Sequence, residues 1–321
     1  MAVPAIVIVN PASGNGRTLR RWPQLQAALR ERLGAVEIVH TEAPGHATLL
    51  CRRALERGAT LVVSVGGDGT NNEVLCGFVD DEGRNRFPHA ELGLLPSGTG
   101  GDFVRHLGAA AFATVLDALA AAPAHAIDYG IAHFVDRHGH PTVRPFLNVA
   151  SAGLSGLVDD AVRRSNRWLG PTATYLLGTL RALAEHRAKP VRIGIDAREP
   201  FTMSLDLAVV ANGQYFGGGM WIAPRARCSD GSFDALWTGD GSKLRLVGLL
   251  AKVFRGAHAD DAAVGAAAAR TVTLEPCNDD DVVLLDLDGE QPGRLPARFE
   301  LVEGGLRLRA PGLPGPLRTR A

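Results

Sequence analysis

Leu61-Val62-Val63-Ser64-Val65-Gly66-Gly67-Asp68-Gly69-Thr70-Asn71-Asn72-Glu73-Val74-Leu75 is an apolar run that ends in glycines and reopens with helix formers. A continuous β-branched run closed by a turn signal is the pattern of a strand buried on both faces, as in a parallel sheet. A strand that becomes a helix through glycines leaves bare backbone N–H groups beside the helix's positive end, where phosphate binds. Asp68 is the one carboxylate inside this turn. An anion beside bound phosphates is tolerable chiefly with a divalent cation between them, so the turn predicts a nucleotide–Mg²⁺ site. Glycine present only to supply positive φ is the plainer alternative, and other segments must decide.

Working outward, further apolar runs at 6–9, 36–39 and 92–95 alternate with helix-like segments at 46–57 and 109–122. Gly58 and Pro123 stand where those helices should stop. The spacing predicts an α/β nucleotide-binding domain with a mainly parallel sheet over residues 1–127. From Asp128 the texture changes to runs at 143–150, 191–195, 204–211, 233–237, 271–274 and 282–287, broken by Gly, Pro and Asp. That pattern predicts a mainly antiparallel, β-rich, sandwich-like domain over 128–305. A long helix is expected at 155–187 with a break at Gly170-Pro171, and another at 244–255. The Gly-, Pro- and Arg-rich tail after Gly304 reads as loose, with 306–321 free to pack back on the first domain.

A chain of 321 residues with 46% apolar content has enough for two cores. Its formal charge is zero and its pI about 7.2, which argues against a nucleic-acid partner. Cys51, Cys76, Cys228 and Cys277 are scattered, without metal spacing, and fit a reducing cytoplasm. The N-terminus reads as a first buried strand rather than a leader. No run approaches the roughly 20 apolar residues that span a bilayer, so a membrane would be visited from outside.

Asn10-Pro11-Ala12-Ser13-Gly14-Asn15-Gly16 follows the first strand and should share the carboxyl edge of the sheet with the Asp68 turn, the edge where open α/β sheets bind ligands. It is not the Rossmann spacing, and no Gly-Lys dipeptide exists to make a Walker loop. Leu94-Leu95-Pro96-Ser97-Gly98-Thr99-Gly100-Gly101-Asp102-Phe103 repeats the plan of strand, small-residue turn and acid at a helix start. Thr99 can donate a hydrogen bond and Asp102 can hold a metal-bound water. For Asp102 the alternative is an ordinary first-turn acid favoured by the helix dipole. Asp288-Gly289-Glu290 offers two carboxylates in a tight turn, suited to accept a proton from a hydroxyl, though Asp-Gly is also a hairpin signal. Arg163, Arg164, Arg167, Trp168, Leu169, Tyr175, Leu176 and Leu177 mix basic, aromatic and apolar types, as a peripheral membrane contact would; a solvated helix with one packed face is the alternative.

The blocks 10–14, 66–70 and 95–103, in that order and spacing, resemble the catalytic domain of the diacylglycerol kinase and sphingosine kinase family, especially its bacterial lipid kinases. Ala211-Asn212-Gly213, Gly217-Gly218-Gly219, Ala223-Pro224, Asp230-Gly231 and Asp288-Gly289-Glu290 resemble its later blocks, so the resemblance covers nearly the whole chain. Gly101 departs from it, standing where asparagine is usual. The resemblance implies a cytoplasmic, peripherally membrane-associated enzyme that phosphorylates a lipid hydroxyl, diacylglycerol or similar, in a cleft between two domains, with room for a homodimer. By position, Asn10, Ser13, Gly14, Thr41, Gly66, Gly67, Asp68, Gly69, Thr70, Asn71, Asn72, Glu73, Thr99 and Asp102 would bind ATP. Asp68, Asp102 and Asp128 would organise the catalytic Mg²⁺, and Glu290 with Asp288 would take the proton. Arg227, Asp230 and Ser232 would hold a second, structural Mg²⁺. An NAD kinase-like enzyme and a catalytically silent lipid or nucleotide sensor are the rival readings.

Overall fold

The computed structural model describes residues 5–97, 101–108, 112–158, 178, 182–183 and 185–313. The expected membrane-contact residues 163–177, most of the helix 155–187, and Thr99 lie outside them. No helix of the described residues is long and apolar enough to cross a membrane. The chain divides into two compact units, one of Met1–Tyr129, Cys228–Asp230 and Val302–Ala321, the other of Gly130–Arg227 and Gly231–Leu301.

In the first unit, β1 (Ala5–Val9), β2 (Glu37–His40), β3 (Leu61–Gly66) and β4 (Glu91–Pro96) form a parallel sheet in the order β4-β3-β1-β2. Every residue of β1 and β3 is buried. Such strands need a layer on each face, which the apolar faces of intervening helices supply. These are α1 (Ser13–Leu33), α2 (His46–Glu56), α3 (Asp68–Phe78), α4 (Asp102–His106) and α5 (Phe112–Ala121). A fifth parallel neighbour lies beside β4: the end of β16 (Gly293–Arg309), where Arg307 pairs with Glu91 and Arg309 with Gly93. The tail expected to be loose after Gly304 is a strand as far as Arg309. Leu306 and Leu308 are buried while Arg307 and Arg309 reach Glu91, and this period-two alternation places one face inward.

The second unit is antiparallel. It contains the end of β5 (Ala124–Asp136), β6 (Pro141–Phe146), β7 (Val149–Gly153), β8 (Lys189–Ile195), β9 (Phe201–Ala211), the short pair β10 (Tyr215–Phe216) and β11 (Met220–Trp221), β12 (Phe233–Gly239), β13 (Val264–Ala269), β14 (Thr271–Pro276), β15 (Leu285–Leu287) and the start of β16. β12 lines one edge of β9, whose other edge is shared between β8 and β7. Phe146, stacked on Phe233 at 5.5 Å and edge-on to Phe299 at 6.1 Å, centres the core. A helix, α6 (Lys243–Val253), capped by the Ser242 hydroxyl accepting from Arg245 N, packs Leu246, Leu249 and Val253 inward.

Two expectations need correction here, and some strands were not expected at all. The run at 143–150 is two strands, because the N–H groups of Leu147, Asn148 and Val149 turn toward a side chain, Asp288, rather than along one continuous ladder. The run at 282–287 yields only Leu285–Leu287 as a strand. β5 breaks its apolar residues with Asp128 and Gly130, and β13 is Gly265 and alanine after Val264, so neither gave an apolar run to read.

Candidate active site

β1, β3 and β4 run parallel, so the turns after them share one edge of the first unit's sheet. Asn10 joins two of them: its Nδ2 donates to Thr70 Oγ1 at 3.0 Å, and its Oδ1 accepts from Ala12 N at 3.0 Å. Gly66 is required for this contact, because a Cβ there would stand 2.5 Å from Thr70 Oγ1. Residues Gly14, Asn15 and Gly16 take left-handed angles before α1 continues, which glycine and asparagine tolerate. The Ser13 hydroxyl donates to Asn10 O at 2.9 Å and meets Thr18 Oγ1, which in turn meets Ser97. Thr41 closes the edge beside them through its N–H to Val9 O at 2.8 Å.

Asp68 opens α3 and faces the start of α4. Its Oδ2 accepts from Asp102 N at 3.1 Å and its Oδ1 from Phe103 N at 3.4 Å. Burial, and then the nearby Asp102 carboxylate, push Asp68 up to about 6, while the backbone N–H donors pull the other way. Asp102 itself is buried. Gly101, before it, has φ 155 and ψ 38, a region other residues enter only with strain. Two carboxylates crowded in a low-dielectric corner repel each other, and an all-oxygen pair of this kind suits a hard cation. The donor set and the raised Asp68 therefore fit Mg²⁺.

Other expected residues make contacts within the fold. Glu73 caps α2, its Oε2 accepting from Ala47 N at 3.1 Å, and Asn71 accepts from the buried Ser64 hydroxyl at 2.7 Å. Asn72 is fully buried. Asp128 is buried, with Oδ1 accepting from Gly304 N at 2.7 Å. Among the described residues no three His, Cys, Asp or Glu side chains gather closely enough to hold an ion directly. Asp230 lies in the turn before β12, where Gly231 has φ 74.

In the second unit, Asp288 and Glu290 have separate environments. Asp288 is buried, takes φ 51, and accepts from Leu147 N at 2.7 Å, Asn148 N at 2.9 Å and Val149 N at 3.0 Å. Glu290 is 43% exposed and bound by Arg144 Nη2 at 2.6 Å. Arg144, Thr18 and Ser97 were not singled out from the sequence. Arg144 is a lone cation on a strand and Thr18 a lone hydroxyl on a helix, and only the tertiary structure supplies their partners.

The site thus lies on a parallel α/β sheet edge with glycine turns and paired acids, and the second unit is an antiparallel β domain. Residues 4–132 match the diacylglycerol kinase catalytic domain and residues 148–310 the YegS C-terminal NAD kinase beta sandwich-like domain. A diacylglycerol kinase of Mycobacterium tuberculosis is 30% identical over 311 residues, covering 95% of this chain and 94% of its own. A diacylglycerol kinase structure from Bacillus anthracis str. Sterne superposes with TM-score 0.68 at 22% identity, covering 95% of this chain and 96% of its own. Yeast NADH kinase, at TM-score 0.51 and 12% identity over 96% of this chain and 83% of its own, shares the fold. The chain belongs to the diacylglycerol kinase family of the bacterial, YegS-related type, and it is a kinase.

Proposed function

We propose that this kinase transfers the terminal phosphoryl group of ATP to the hydroxyl of a membrane lipid, diacylglycerol or a similar long-chain alcohol, with Mg²⁺ as cofactor. The observation that carries the reading is half-buried Asp68 facing buried Asp102 beside the Asn10–Thr70 bridge on one sheet edge. Mg²⁺ is commonly held by one or two carboxylates together with phosphate oxygens and water, so two acids suffice. When bound, the ion neutralises charge on the phosphates. Asn10, Ser13, Gly14, Thr41, Gly66 to Thr70 and Thr99 are the proposed nucleotide contacts; Asn71, Asn72 and Glu73 support the fold behind them. Little covalent chemistry is asked of the protein in phosphoryl transfer, so positioning and charge placement supply most of the rate.

Glu290 is the proposed proton acceptor, since it is partly open to solvent and Arg144 fixes its orientation. Asp288 fixes the turn that presents Glu290, its oxygens being taken by three backbone N–H groups. The turn 227–232 is the proposed loop for a structural cation. The lipid acceptor is inferred from what the related proteins are named for. Incubation with labelled ATP, Mg²⁺ and a panel of lipids in detergent micelles, with NAD in a parallel arm, tests the reading. Label is expected in lipid and not in NAD; label in NAD alone, or turnover that ignores Mg²⁺, would overturn it.

A further inference from the structure

Lys243-Leu244-Arg245-Leu246-Val247-Gly248-Leu249-Leu250-Ala251-Lys252-Val253-Phe254-Arg255 covers α6 and its C-terminal edge and carries four cations and no acid. Leu246, Leu249 and Val253 are buried, and Val253 and Leu250 join the cluster around Val209 and Leu236. That face needs nothing further. The opposite face also carries large apolar side chains: Leu244 is 84% exposed, Phe254 61% and Val247 45%. Leu244, Val247, Ala251 and Phe254 are spaced by three, four and three residues, which places them on one stripe of a helix.

The cations flank that stripe. At about 100° per residue, Lys243 falls on one side of it and Arg245 and Lys252 on the other. Lys243 opens the helix, where its charge opposes the helix dipole, and the first turn holds no acid. Local stability does not explain that choice. Lys252 is paired with Asp261 at 2.6 Å, so the positive charge beside the ridge rests on Lys243, Arg245 and Arg255. An exposed apolar ridge between long cationic stems is the surface that lies in a headgroup layer, its apolar side chains in the acyl boundary and its cations on anionic lipid.

We infer that α6 docks this chain on an anionic lipid bilayer, with Leu244, Val247 and Phe254 entering the acyl boundary. The inference stands on the helix itself and does not need the kinase reading. It is tested by co-sedimenting the full chain with vesicles of phosphatidylcholine alone and of phosphatidylcholine mixed with phosphatidylserine. The mixed vesicles are expected to bind about tenfold tighter or more, since each cation near an anionic surface contributes about fivefold. The double substitution Leu244→Glu with Phe254→Glu is expected to weaken that binding about tenfold or more. Both side chains are exposed, so the melting temperature should not move, and Val247→Glu gives an independent second variant.

Vesicle binding unchanged in both variants would overturn the inference. So would a parent chain that elutes as a dimer and is made monomeric by the double substitution, since the face would then join two copies. Transfer to lipid dispersed in detergent micelles should be unaffected by these substitutions. Vesicle binding that depends on Leu244 and Phe254, with no transfer in micelles, would support the docking face and remove the kinase reading.

Discussion

Asp68 is raised to about 6, above the ordinary carboxyl value of 3.8, by burial and by Asp102. The folded chain therefore holds a proton there, between those two pH values, that the unfolded chain has released. The contribution to stability is greatest below about 4 and is lost as pH rises through about 6, a loss on the order of 3 kcal/mol at neutral pH. Asp68→Asn, which keeps an accepting oxygen, should unfold at higher urea concentration than the parent at pH 7 and lose that advantage near pH 4. The same substitution should lower transfer about a hundredfold or more, because the cation loses a charged ligand. In the parent, protonation removes the ligand, so Mg²⁺ binding and Mg²⁺-supported transfer should weaken as pH falls, at a lower pH the more Mg²⁺ is present. A D68N chain no more stable at pH 7 than at pH 4, relative to the parent, would contradict this account of the site. Asp288 and Glu290 separate in the same way. Asp288→Ala strips three buried N–H groups of their acceptor and should cost about 3 kcal/mol or more in urea unfolding. Glu290→Gln should unfold like the parent and transfer poorly. Asp68 and Asp102 were legible from sequence because turn chemistry ties an acid to a glycine corner. The difference between Asp288 and Glu290 was not, since it depends on Leu147 to Val149 and Arg144, distant in the chain.

At the scale of elements, β1, β3 and β4 were legible because a strand buried on both faces must be a continuous apolar run, and Val62, Val63 and Val65 leave no other reading. β16 was hidden by Gly304-Gly305, which look like a terminus in sequence. Its end is nevertheless an ordinary half-buried strand, with Leu308 fully buried and Arg309 Nε bonded to Glu91 at 2.7 Å. Leu308→Ala should therefore cost about 2–4 kcal/mol in urea unfolding, as core leucine truncations do. A loose tail would show no loss at that position. Leu306→Ala should act similarly, whereas substitutions of the outward Arg307, half exposed beside Glu91, should stay within about 1 kcal/mol.

Across the whole molecule, the change of texture near Asp128 and a tail, 306–321, free to pack back suggested two crossings between the parts, whereas the chain passes between the two compact units after Tyr129, Arg227, Asp230 and Leu301. The last of these falls inside β16, whose buried positions change phase from Leu295, Ala297 and Phe299 to Leu306 and Leu308 across Gly304, which has φ 57. The first unit is consequently incomplete in any fragment cut near residue 129. Such a fragment lacks the β16 partner of β4, the Cys228 carbonyl that accepts from Asp128 N at 2.7 Å, and the Gly304 N–H that satisfies Asp128 Oδ1. Residues 1–129 expressed alone should therefore melt without a cooperative transition and gain no stability from ATP with Mg²⁺. The full chain should gain about 2.7 kcal/mol at a hundredfold excess of nucleotide over its dissociation constant. Cooperative, nucleotide-sensitive melting of the fragment would show that the N-terminal segment folds without the late strand, and the coupling of catalytic edge to chain end would have to be abandoned.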